Sequence, residues 1–169
     1  MACELYQGEE IECRDGSGGV MEVYIANFNN VQSVTVTSGQ ATGITMAGTT
    51  KFFTFQLEKE NALYDNNGTS SIENGTTFYE STLNFTIKKM SASQKNSLDI
   101  LLKARLMVIV KDSNGTYWVM GRTRGVDALE ILNTSGKAFG DLAGATVTLT
   151  GKEPAFDPEF TGAIAGITD

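Results

Sequence analysis

The chain has 169 residues and a formal net charge of −7, with 13 Lys and Arg against 20 Asp and Glu and no histidine. That length suits one domain with a real core, burying roughly 70% of its unfolded surface. The acid excess argues against adhesion to nucleic acid or anionic membranes, which needs clustered Lys and Arg. The lack of histidine removes the commonest general base, the commonest zinc ligand and every Ser-His or Cys-His nucleophile pair.

In chain order, residues 1–19 form an irregular lead-in with no basic n-region and no apolar h-region, so no signal peptide is expected. No apolar run reaches the length of a membrane span. Cys3 and Cys13 either close a short loop as a disulfide or stay reduced, and alone they cannot fill a four-ligand zinc site. Arg14 to Gly19 has two glycines beside a serine but lacks the Lys-Ser/Thr ending of a phosphate loop, so it is a turn.

Val20 to Phe28 and Val31 to Thr37 alternate as strands, separated by a turn at Asn29-Asn30. Ser38-Gly39-Gln40 turns again, before a weaker strand at Ile44 to Met46. Lys51 to Leu57 places Phe53, Phe55 and Leu57 on one side. From Glu58 to Glu80 the chain is polar, with Leu63, Tyr64, Ile72, Phe78 and Tyr79 as its large apolar groups. So long a polar stretch inside a compact domain is uncommon and often functional. It is either a solvated loop or a two-stranded arm. An arm would gain order against another chain, through Leu57, Leu63, Tyr64, Ile72, Phe78 and Tyr79.

Residues 82–121 are the central unit. Leu83, Phe85 and Ile87 alternate with Asn84, Thr86 and Lys88 as a strand. Ser91 and Gln94 have the spacing of a capping box, which predicts a helix over Ser91 to Lys103 with Leu98, Leu101 and Leu102 as its apolar stripe. Leu106 to Val110, including Val108 and Val110, is apolar on both faces and predicts a central strand covered on both sides. Ser113-Asn114-Gly115 turns into Tyr117-Trp118-Val119-Met120. Further strands are expected at Val126 to Leu132 and Ala145 to Gly151. Pro154 and Pro158 stop regular structure, and the tail over 155–169 is either disordered or docked on a neighbour. The sum is a single mainly β domain over 1–169: two packed antiparallel sheets, as a β-sandwich or a curled barrel, with one flanking helix.

No constellation for catalysis emerges. Glu9, Glu10, Glu12 and Asp15, then Glu58, Glu60 and Asp65, stand at no spacing that makes an acid/base pair, and they read as solvated faces. Asp112-Ser113-Asn114-Gly115 resembles the start of a calcium loop, but Tyr117 and Trp118 follow and no closing Glu is present. No metal site, cofactor site or catalytic residue is expected. Tyr117 and Trp118 are the residues that would stack on a sugar, although burial is the expected fate of Trp118 in a strand facing Leu106 to Val110.

Three stretches resemble the tail-tube and tail-ring structural proteins of tailed bacteriophages, in particular phages of Bacteroidetes. The first is Met1-Ala2-Cys3 followed by Cys13-Arg14-Asp15, Gly18-Gly19-Val20 and Val23 to Phe28. The second is Glu73 to Glu80 entering the Leu83-x-Phe85-x-Ile87-Lys88-Lys89 strand. The third is Gly140 to Gly144 before Thr146 to Gly151. The resemblance covers the chain to about Pro154. It implies two packed sheets with a flanking helix, and copies joined edge to edge as a ring, usually a hexamer. Rings would stack into a tube through which DNA passes without specific binding. The implied setting is the virion tail, made in the bacterial cytoplasm, with other copies of the chain and a tape-measure or tail-terminator protein as partners and no membrane. The alternative is a monomeric β-sandwich binding module, carbohydrate-directed through Tyr117 and Trp118. A carboxylate-only enzyme is a distant third.

Overall fold

The protein is described by a computed structural model covering residues 3–169, so Met1 and Ala2 of the opening motif lie outside the described residues. Among the described residues eleven strands and one α-helix form in the order β1 (Val20–Asn27), β2 (Val31–Thr37), β3 (Gln40–Met46), β4 (Phe53–Gln56), β5 (Ala62–Ser71), β6 (Thr76–Lys88), α1 (Ala92–Lys103), β7 (Leu106–Asp112), β8 (Tyr117–Met120), β9 (Asp127–Thr134), β10 (Gly144–Glu153) and β11 (Glu159–Phe160). Short 3-10 turns at Phe28–Asn30 and Ile164–Gly166 complete it. The strands make a seven-stranded sheet, ordered β2-β3-β11-β8-β7-β1-β4, and a four-stranded sheet, ordered β5-β6-β10-β9. Each is open, so the architecture is a sandwich with free edges and not a closed barrel.

The chemistry of the turns explains the pairing. Ser38 (φ 52) and Gly39 (φ 80) both take positive φ, the twist that joins β2 to β3 tightly. Asp112 organises the β7–β8 hairpin, its carboxylate accepting from the backbone N–H groups of Asn114 and Thr116, each at 2.9 Å, and from Trp118 Nε1 at 3.2 Å. Gly121 has φ 78, and a Cβ there would stand 2.5 Å from Val126, so the turn after β8 needs glycine on both counts. Ser91 caps α1 as its spacing predicts. Its hydroxyl accepts from Gln94 N at 3.3 Å, and Gln94 Oε1 accepts from Ser91 N at 2.8 Å.

β7 is the strand on which both cores meet. Leu106, Val108 and Val110 face the space between the sheets and pack with Leu83, Phe85, Val147 and Leu149. Met107 and Ile109 face the other way, with Tyr24, Phe52 and Val119. Each fully buried aliphatic or aromatic side chain contributes roughly 1.5–3 kcal/mol, so a strand buried on both faces anchors the whole molecule. The helix supplies Leu98 and Leu101 to the first core. Leu102 departs from the expected stripe: it is 45% exposed, because the helix rests against β9 on its Leu98 side and leaves Leu102 at the rim.

The tail over 155–169 is neither disordered nor left for a neighbour. It docks on its own chain. β11 inserts between β3 and β8, parallel to β3 at Gln40 and Ala41 and antiparallel to β8 at Trp118. Beyond it Phe52 N donates to Ile167 O at 2.8 Å, and Asp169 N donates to Phe52 O at 3.0 Å. Phe160 is buried, and Ile164 and Ile167 pack on the same cluster. The reason is apolar cover: without these three side chains the outer face of the large sheet would present Tyr24, Met107 and Ile109 to water.

Candidate assembly interface

The polar stretch between β4 and the central unit is a hairpin. β5 pairs with β6 from Ala62↔Phe85 to Ser71↔Thr76, with residues 72–75 as its tip. β10 pairs with β6 only as far as Glu153↔Tyr79, so the hairpin runs on past the sheet. The six residues expected to serve an inter-subunit arm divide into two sets. Ile72 at the tip is fully exposed, Leu63 is 60% exposed, and Phe78 lies outward with the Lys152 ammonium 5.6 Å from its ring centre. The other three belong to their own protomer. Leu57 and Tyr64 pack against the inter-sheet core. Tyr79 meets Phe156 edge-on at 4.4 Å between ring centres. Alternation is the physical reason: Ala62 and Tyr64 fall on the face of β5 that turns inward, and Leu63 falls on the other.

Tyr64 also joins a buried polar knot that holds the tail. Its hydroxyl and that of Ser81 both donate to Asp157 Oδ2 at 2.5 Å. Burial, the largest influence, pushes the Asp157 carboxyl up; the two hydroxyl donors oppose this, and the nearby Glu153 adds to it. Burial and the Asp157 charge push the Tyr64 phenol up as well. A carboxyl raised in the folded state binds protons more tightly there than in the unfolded chain. Its contribution to stability is therefore greatest below the ordinary carboxylate value and falls as pH rises through the raised one. Asp157→Asn keeps an acceptor for both hydroxyls and removes this dependence. The stability of wild type relative to Asp157→Asn should decline as pH rises above the ordinary carboxylate range, read from urea midpoints. Asp157→Ala leaves two donors unpaired and should cost about 3 kcal/mol. A pH-independent difference between wild type and Asp157→Asn would contradict the assignment.

The four-stranded sheet has two free edges, β5 and β9, and both carry exposed apolar side chains. On β9 a bulge between the Thr148 and Leu149 pairings turns Leu129 outward, and Leu129 and Leu132 are 66% and 56% exposed. Between the edges, the face turned away from the core is lined by Thr82, Asn84, Thr86, Thr146, Thr148 and Thr150. Asp65, Glu80 and Glu130 lie on that same face by register. Its two lysines are engaged, Lys88 with Glu58 and Lys152 with Phe78.

The aromatic pair is engaged within its own fold. Tyr117 sits 6.2 Å from Tyr24 at a 39° tilt with Lys111 beside it, and Trp118 is half-buried and tied to Asp112. Among the described residues no three His, Cys, Asp or Glu side chains come together as a metal site, and Cys3 and Cys13 are separate and exposed. No described helix is long and apolar enough to cross a membrane. Sequence reasoning expected a strand over Val126 to Leu132 but did not single out Leu129 or Leu132; the bulge, a feature of pairing with β10, has no local sequence signal. The chain matches no family model, no curated protein and no solved structure.

Proposed function

We propose that the chain is a virion structural protein that self-assembles into rings, hexameric by its resemblance to phage tail proteins, and that the rings stack as a tail tube through which DNA passes. The observation that carries this is the pair of free edges on the four-stranded sheet. Its strands alternate in direction across β5, β6, β10 and β9, so β5 and β9 run antiparallel to each other. When the β9 edge of one copy meets the β5 edge of the next in the same orientation, the joint is itself antiparallel. The alternation then continues unbroken. Such a contact is heterologous, and with suitable curvature it closes as a ring. Open edges are a hazard to a monomer, and ring closure removes them.

In a ring of this kind the Thr- and Asn-lined face turns toward the lumen. Neutral hydroxyls with Asp65, Glu80 and Glu130 among them suit a surface past which phosphates slide, because like charge repels them. The hairpin tip around Ile72 is the part that reaches the next ring. A tape-measure protein inside and a terminator at the end are the expected partners, and the virion tail is the location. The role is structural and not catalytic.

Electron microscopy and light scattering of the purified protein test this. Rings or tubes that grow with concentration are expected, and a strict monomer at high concentration would sink the proposal. Replacing residues 70–77 by Asn-Gly shortens the hairpin without touching Tyr64 or Tyr79. Rings should persist while stacked tubes are lost. Tubes of unchanged length would show that the hairpin has no part in stacking.

A further inference from the structure

Three Asn-Gly pairs occur in the chain: Asn67-Gly68, Asn74-Gly75 and Asn114-Gly115. The pair is chemically special. Glycine has no Cβ to hinder its own amide nitrogen, and its backbone turns freely, so that nitrogen can attack the side-chain carbonyl carbon of the preceding Asn. The new C–N bond closes a cyclic imide, and the side-chain amide leaves as ammonia with the proton that the glycine nitrogen gives up. Water then opens the imide at one carbonyl or the other, leaving aspartate or isoaspartate. Water is the sole co-reactant. Since the dipeptide is the same at all three places, the fold decides which one reacts.

Two of the three are held. Gly115 N, the attacking atom at Asn114, donates to Asp112 O at 3.1 Å. Asn114 Oδ1 accepts from Ser17 N at 2.8 Å, which ties the side chain away from the backbone ahead of it. Asn67 and Gly68 lie in the β5–β6 ladder, opposite Glu80 and Tyr79. Gly68 is also pinned: a Cβ there would stand 2.9 Å from the Tyr79 ring and 3.3 Å from that of Phe156. Imide closure at either place must first break these contacts. Asn74 and Gly75 stand instead in the exposed hairpin tip. Among the described residues Gly75 N donates to no acceptor, and the Asn74 side chain makes no hydrogen bond; the backbone N–H of Asn74 alone is engaged, with Ser71 Oγ at 3.4 Å. Gly75 has φ 61, and a Cβ there would meet no atom within 4 Å, so the tip has room to turn. We propose that Asn74 is a site of spontaneous, fold-selected deamidation. Its product sets a second carboxylate beside Glu73, on the loop that carries the exposed Ile72. The reaction requires no association between copies.

The test is a timed peptide map. Purified full-length protein is held in mildly alkaline buffer, with circular dichroism confirming that it stays folded. Mass spectrometry then follows all three sites, using fragmentation that separates aspartate from isoaspartate. Conversion at position 74 should outrun that at 67 and 114 by at least about tenfold, the difference that ~1.4 kcal/mol of local opening makes. In urea the three rates should converge, because the contacts that separate them are gone. Gly75→Ala, whose added methyl hinders the attacking nitrogen, should slow conversion at 74 severalfold in the folded protein. A smaller lead for position 74, a lead by Asn67 or Asn114, or an unconverted Asn74 would overturn the assignment. An unchanged rate in folded Gly75→Ala would overturn the imide route.

Discussion

Phe160→Ala is expected to cost about 3–5 kcal/mol and to lower the melting temperature by roughly 10 °C. The side chain is buried in one cluster with Ala41, Phe52 and Val119, so its removal leaves a cavity in that core. Removing residues 159–169 goes further. It deletes β11, uncovers Tyr24, Met107 and Ile109, and leaves β3 and β8 with no strand between them. Total stability for a domain of this kind is about 5–15 kcal/mol, so the truncated chain should lose cooperative unfolding and bind a hydrophobic dye. Calorimetry and dye fluorescence read both. A truncated chain that melts cooperatively at the wild-type temperature would show the tail to be decoration.

The second large effect falls on assembly and spares the fold. Leu129→Asp with Leu132→Asp puts two charges on the exposed side of the β9 edge, where neither side chain supports the core. The protomer should change stability by about 0.5 kcal/mol or less. Ring formation should be lost, because charges on an edge strand discourage pairing and two new carboxylates beside Glu130 would repel Asp65 on the facing β5 edge. Equal circular dichroism and melting with a monomeric mass in light scattering is the expected result. If the double variant assembles as wild type does, the β9 edge is not the joint.

What was legible in the sequence was whatever local chemistry decides. The Ser91/Gln94 pair fixed the start of α1, since both partners of the capping box lie within four residues. The apolar run from Leu106 to Val110 announced a strand covered on both faces, because it is short, rich in β-branched residues and apolar at successive positions. The tail was illegible for the opposite reason. Phe160, Ile164 and Ile167 follow no strand or helix period, and β11 is two residues long with its partners on β3 and β8. Tyr64 was misplaced because the polar composition of β5 hid a period-two pattern that its pairing with β6 reveals. Leu102 sits at helical spacing with its neighbours, yet the shape of the surface beneath α1, which no local pattern encodes, leaves it at the rim.

The position of β11 has a consequence in time. In the seven-stranded sheet the β2–β3 hairpin reaches β8 only through β11. Gln40 on β3 and Glu159 on β11 are 119 residues apart. At the usual 5–20 residues per second, that interval takes roughly 6–24 s of synthesis. Throughout it the hairpin holds an unfilled strand position, and the sheet closes only when almost all of the described chain has been made. Translation itself thereby delays a competent protomer until the segment that completes it is in hand.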